Sequence, residues 1–281
     1  MAKALLLQSY SGVSSRVAAG LVDLFKEKPG ISKSFSYKTI ERGYDPSPVT
    51  LILQQVFSLT NEPGNAKEDT FSFDGSGDPA SSKVNCESVR SGQRRAGDGP
   101  AVVDWQGSTR HDFQYGLSSV GVHTRLIGGF KSSAAGHLAG ELSMLPGVLS
   151  QTYRNCPGMK MAPGDALYSA RSACALVAQY GVKPYFFPEQ NSTFRSHGVP
   201  AWKEMMYGLV EDPQGWLRVY HMRSISGSVN PVDRRRFPWK LKKRLPWRKE
   251  TESFLRRDVY NVRQYSYLSC LQPDMVVKLT G

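Results

Sequence analysis

A chain of 281 residues that is 40% hydrophobic and 21% charged has ordinary globular composition, which excludes wholesale disorder. Its 36 Lys and Arg against 24 Asp and Glu leave a formal charge of +12, an excess that concerns partners rather than fold and puts polyanions first. The four cysteines, Cys86, Cys156, Cys174 and Cys270, form no Cys-x-x-Cys pair, and no apolar run reaches the length of a secretory core or a membrane span. A zinc knuckle, a disulfide framework and a membrane partner are therefore excluded, and the expected setting is a reducing cytoplasm.

The first sixty residues read as helical. Segments 5–10, 14–27, 36–43 and 48–60 are separated by Gly, Pro and Ser turns. Val17, Leu21 and Leu24 recur at helical spacing behind the N-cap candidates Ser14 and Ser15. The Lys28-Pro29-Gly30 break followed by Tyr37-Lys38-Thr39-Ile40 has the pattern of a helix-turn-helix pair, and a small helical bundle gives the same pattern. Residues 1–62 are read as one helical domain.

Beyond Pro63-Gly64 the pattern changes. Thr70-Phe71-Ser72-Phe73 alternates polar and apolar and runs into Asp74, the profile of a short strand ending in a carboxylate. Residues 78–110, rich in Gly, Ser, Asp and Arg, read as a long exposed loop. Strand character returns over 111–130, with a turn or bulge at Gly121, and again over 159–162, just before Asp165. A helix over 169–180 closed by Gly181 and a strand over 182–187 follow, so the class is a mixed α/β sheet with flanking helices. This core spans 63–272, with 273–281 as a tail.

Asp74, in Phe-Asp-Gly-Ser-Gly-Asp, and Asp165, in Pro-Gly-Asp-Ala-Leu-Tyr, both fall at strand ends, where α/β sheets collect their sites. Two such acids can hold divalent ions through oxygen ligands, or can simply cap turns. Asp78, Asp98, Asp104 and Asp112 are rivals for the first position, Asp104 the strongest because it follows Val102-Val103. Gly75-x-Gly77-x-x-Ala80 opens no helix and is discounted as a dinucleotide motif. The histidines at 111, 123, 137, 197 and 221 have no paired ligand spacing, and no Gly-x-Ser-x-Gly turn supports a hydrolase.

The charge is concentrated late. Between Trp216 and Tyr265 fourteen Lys and Arg face four Asp and Glu, interleaved with Phe237, Trp239, Trp247, Tyr260 and Tyr265. Cations among aromatics suit a surface that grips a nucleic-acid backbone. Within this stretch, offsets of 3, 7 and 14 from Tyr220 fall at roughly 300°, 340° and 320° around a helix, so Arg223, Gly227 and Arg234 share a face with Tyr220.

The spacing of Tyr220, Arg223 and Arg234 resembles the signature of the DDE transposases of insertion sequences: Tyr, two residues, Arg, three residues, Glu, six residues, then Lys or Arg. Phe73-Asp74-Gly75-Ser76-Gly77 and Gly164-Asp165-Ala166-Leu167-Tyr168 look like the segments that supply that family's first two acids, and the similarity runs from about Thr70 to Leu271. The resemblance implies an RNase H-like core behind a small helix-turn-helix-like DNA-binding domain. It implies Asp74 and Asp165 as catalytic ligands of two Mg²⁺ or Mn²⁺ ions. It also implies Tyr220, Arg223, Arg234, Arg235 and Arg236 as DNA contacts, and cleavage and strand transfer at the terminal inverted repeats of double-stranded DNA. Nucleoid association follows from that partner, and a homodimer is compatible with it. Gly227 stands where the family carries its catalytic Glu. The resemblance therefore implies impaired catalysis, or a dead or repurposed DNA-binding chain.

Overall fold

The computed structural model describes residues 1–79, 113–133, 140–229 and 240–276. Four helices open the chain: α1 (Ala2–Ser11), α2 (Ser15–Phe25), α3 (Tyr37–Arg42) and α4 (Pro48–Asn61). Their starts are chemically marked. Ser14 and Ser36 accept backbone hydrogen bonds from Val17 and Thr39, and Ser47 with Thr50 forms a capping box ahead of Pro48. The buried face of α2 is Ser15, Ala18 and Val22, whereas Val17 and Leu24 face outward, so the stripe expected from Val17, Leu21 and Leu24 is not the packed one. The smaller residues allow α1 and α3 to approach closely.

Five strands follow: β1 (Phe71–Pro79), β2 (Phe113–Gly121), β3 (Ile127–Ser133), β4 (Met161–Gly164) and β5 (Lys183–Phe186). They form one mixed sheet in the order β3-β2-β1-β4-β5, in which β1, β2 and β3 are antiparallel and β4 and β5 run parallel to β1. The strand expected to stop at Asp74 continues to Pro79, because Asp74 to Pro79 keep their antiparallel pairing with β2 from Ser118 back to Phe113. Most of the expected 78–110 loop, together with Asp98, Asp104, Asp112, Arg234, Arg235 and Arg236, lies outside the described residues.

The helix α5 (Glu141–Asn155) joins β3 to β4, and α6 (Arg171–Ala178) joins β4 to β5. The helices α7 (Pro200–Glu211), α8 (Pro213–His221) and the long α9 (Pro246–Leu271) complete the named elements. One face of the sheet buries Phe71, Phe73 and Leu117 against Met144, Leu145, Val148 and Leu149 of α5. Complete burial of a side chain such as Phe73 contributes about 1.5–3 kcal/mol. The opposite face buries Val120, Ile127 and Phe130 against Phe57 of α4 and Val259 and Tyr260 of α9. No described helix is long and apolar enough to cross a membrane.

The helix α9 also ties the opening helices to the sheet. Leu255 shares a core with Leu5, Ile40 and Leu53, and Asn261 exchanges hydrogen bonds of 2.8 and 2.9 Å with the backbone of Ile127. Much of the late basic run is spent in this joint. Lys243 is buried, 2.6 Å from Glu41 and over the Tyr44 ring, and Arg248 pairs with Asp45 at 2.6 Å. Arg257 pairs with Asp78 at 2.6 Å, with both side chains only 3% exposed. The sequence suggested a single cationic surface, but several of its cations face inward.

Candidate acidic site on the central strands

Strand pairing sets the site. Phe73 of β1 is opposite Gly164 of the parallel neighbour β4, so Asp74 and Asp165 follow directly on adjacent strands. Asp165 leaves β4 in an extended conformation and its Oδ1 accepts from the Ala166 backbone N–H at 2.7 Å, capping the short turn Ala166–Tyr168. It is therefore a turn cap, as the plainer sequence reading had it, and it also presents an exposed carboxylate. Asp78, the rival on the same strand, is already committed. Burial pushes its carboxyl up, but Arg257 and Arg256, with hydrogen bonds from Ser253 and Arg257, outweigh that and hold it below the usual range.

Alternation along β1 decides which way each residue faces. Phe71 and Phe73 enter the core with α5, while Ser72, Ser76 and Asp78 contact elements on the opposite face. Asp74 belongs to the second set by register. On that face, Ser72 Oγ donates to the Arg223 carbonyl at 3.1 Å and lies 2.8 Å from Ser226 Oγ. The segment carrying the Tyr220–Arg223–Gly227 spacing is thereby held two residues from Asp74.

That segment is not one continuous helix. The helix α8 ends at His221, residues 222–223 form a turn, and helix resumes over 224–229. Bonds from the N–H of Arg223 to the carbonyl of Tyr220, and from Ser226 to Arg223, carry the chain across in tighter three-residue steps. Tyr220 and Arg223 stay together: the guanidinium lies 5.0 Å from the Tyr220 ring centroid, and Tyr220 stacks on Trp216 at 5.5 Å. Arg223 Nη1 is 3.7 Å from Asp165 Oδ1. Gly227 is exposed, and a Cβ built there meets nothing within 4 Å. No side chain is available at that position to join the two aspartates.

A third carboxylate approaches from the other side. Glu141, the first residue of α5, accepts from the Tyr115 hydroxyl of β2 and, at 2.6 Å, from the Tyr168 hydroxyl just after Asp165. It rests against Gly75, where an added Cβ would overlap both Glu141 Oε1 and the Tyr115 hydroxyl. Burial first, then the Glu141 charge and hydrogen bond, push the Tyr168 phenol upward, with Asp74 adding to the effect. Glu141 has no sequence signal of its own, because an acid in the first turn of a helix is common. A signal was present at Gly75, which keeps its side of the strand open.

The donor set is all oxygen, which suits hard divalent cations, and the guanidinium beside Asp165 shows that this carboxylate attracts positive charge. Among the described residues no three His, Cys, Asp or Glu side chains are already gathered around one point. The arrangement is a parallel-strand acid pair flanked by an arginine, in a mixed α/β fold. Over 254 residues, covering 89% of the chain and 70% of the relative, it is 28% identical to a protein of Archaeoglobus fulgidus described as a probable transposase for insertion sequence element ISA1214. That similarity supports a transposase family. No family model matches the chain, and no solved structure matches it.

Proposed function

We propose that this chain is a DNA transposase of an insertion element, with a DDE-type, RNase H-like core that cuts and joins DNA at the element's terminal inverted repeats. The observation that carries the reading is the parallel pairing of Phe73 with Gly164, after which Asp74 and Asp165 follow in neighbouring segments, with Arg223 3.7 Å from Asp165. Sheet order and the A. fulgidus relative support it. Asp74 and Asp165 would hold Mg²⁺ or Mn²⁺, which supplies activation of the attacking oxygen and stabilisation of the leaving one. Arg223, exposed and held by Tyr220, is placed to take a phosphate oxygen of the bound strand. Arg234, Arg235 and Arg236 add sequence-independent grip, and the opening helices, in helix-turn-helix manner, read the repeat.

Gly227 favours a second reading, a chain that binds ends without cutting. With two carboxylates alone, paired ions are not placed together, and in-line displacement falls by orders of magnitude. The test is Mg²⁺- or Mn²⁺-dependent nicking of DNA carrying the repeats that flank the gene. Nicking by the wild type that disappears in both Asp74→Ala and Asp165→Ala is the expected result. Binding without nicking selects the second reading, and loss of both binding and nicking rejects both.

A further inference from the structure

We propose that α2 is a self-association face, on which two copies of this chain pair antiparallel across Gly20. The proposal goes beyond the acidic site and uses none of its residues. It begins with a helix whose more apolar side is the unburied one. Val17 is 52% exposed and Leu24 77%, the most of any large apolar side chain among the described residues, with Leu21 half-buried beside them. An apolar row along one helix face, unlike scattered apolar residues, marks a contact surface. Gly20 lies in the same row, and an added Cβ there meets nothing within 4 Å. Glycine inside a helix weakens it, and no described contact within the monomer requires one here. What a glycine at this place does allow is close approach by a second backbone.

The pattern around Gly20 is self-complementary. At roughly 100° per residue, Val17 and Leu24 fall at roughly 60° and 40° from Gly20, and Arg16 and Asp23 at roughly 320° and 300°. Gly20 therefore divides an apolar flank from a charged one. Arg16 lies four residues before it and Asp23 three after, while Val17 lies three before and Leu24 four after. A two-fold axis at Gly20 keeps each flank on its own side and reverses the order along the helix. Arg16 of one copy then comes level with Asp23 of the other, to within about 1.5 Å along the helix, and Val17 meets Leu24 in the same way. Arg16, over the Tyr37 ring, and Asp23 are both exposed. Their charges balance across the pair, which suits a second copy. They do not suit a polyanion, because the flank sets an acid beside its base. The helix α4 also exposes Leu51, Ile52 and Leu59, but it carries no charge to fix a partner or a register. One pair of short helices covers less than the usual area of about 800 Å² per partner, so the dimer is weak, with Kd in the micromolar range.

The test is sedimentation velocity on the full chain, from about 1 µM to about 200 µM, at about 0.15 M salt to screen the repulsion between two +12 copies. Wild type should show a concentration-dependent equilibrium between monomer and dimer. Leu24→Asp should weaken it by at least about tenfold, whereas Leu51→Asp on α4 should leave it unchanged. Arg16→Asp and Asp23→Arg each set like charges opposite one another, so each alone should weaken self-association by about tenfold. An equimolar mixture of these two variants should pair as tightly as wild type, because each supplies the charge the other lacks. The mixture keeps the test decisive if Leu24→Asp fails to fold. A chain still monomeric at about 200 µM, a dimer untouched by folded Leu24→Asp, or one broken by Leu51→Asp instead, overturns α2 as the face. A mixture that fails to pair overturns the antiparallel register, and the proposal with it. The nicking test of the acidic site involves none of these residues, so either reading can fail while the other stands.

Discussion

Two Asp–Arg pairs lie on the same sheet and have opposite characters. Asp78–Arg257 closes at 2.6 Å with both side chains 3% exposed, whereas Asp165–Arg223 stands at 3.7 Å with side chains 62% and 41% exposed. The first is sealed by Ser253, Ser76 and the Phe130 ring, so neither partner can leave without abandoning a buried charge. The second is bathed in water and exchanges partners at little cost. Identical residue types thus serve as a structural bolt in one place and as a replaceable contact in the other, and burial decides which.

The sharpest way to break this contrast is Arg257→Ala. It leaves Asp78 charged and enclosed, and about 3–5 kcal/mol of stability should disappear in urea unfolding. Asp78→Leu combined with Arg257→Met should recover most of that loss. The pH dependence has a defined sign. The Asp78 carboxyl is held below its unfolded value, so its contribution is complete above the ordinary carboxylate range and is lost as acid protonates the folded state. Arg257→Ala should therefore lie closest to wild type at the lowest pH at which both still fold.

A smaller effect is expected at Lys243→Met, which removes the ammonium from Glu41, Ser15 and the Tyr44 ring. About 2 kcal/mol should be lost, and hydrogen exchange should quicken first in α3. Asp258 gives a third, oppositely signed test. It is fully buried, neither oxygen has a hydrogen-bond partner, and burial pushes its carboxyl well above the ordinary value. Wild type should lose stability as pH rises above the ordinary carboxylate range toward that raised value, by up to about 1.4 kcal/mol per pH unit, and Asp258→Asn should not. The least effect on stability, within about 0.5 kcal/mol, belongs to Arg223→Ala, although DNA binding or nicking should fall clearly. If Arg223→Ala destabilises as much as Arg257→Ala, the distinction between the two pairs is wrong.

Local chemistry made much of this architecture legible. Ser14, Ser36 and Pro48 marked three helix starts to within a residue or two, and Gly121 marked the end of β2. The adjacency of the segments carrying Asp74 and Asp165 was readable because each acid follows a short apolar stretch, although β1 runs on past Asp74 to Pro79. What stayed hidden depends on contacts distant in sequence. Lys243, Arg248 and Arg257 looked like surface charge because Glu41, Asp45 and Asp78 lie far away along the chain. The helix α5 was disguised by Pro146 in its second turn, and with it Glu141. The outward stripe of α2 was the more hydrophobic one, so periodicity alone chose the wrong face.

The position of α9 has a consequence for how the molecule is made. Leu255 completes the core of the opening helices, Lys243 neutralises Glu41, and Asn261 ties down Ile127 of β3. During synthesis these partners leave the ribosome after the surfaces that wait for them. A growing chain without α9 leaves Leu53, Phe57, Val120 and Ile127 without their α9 partners, and Asp78 lacks Arg257. Closure of the described fold therefore waits until α9 has been made.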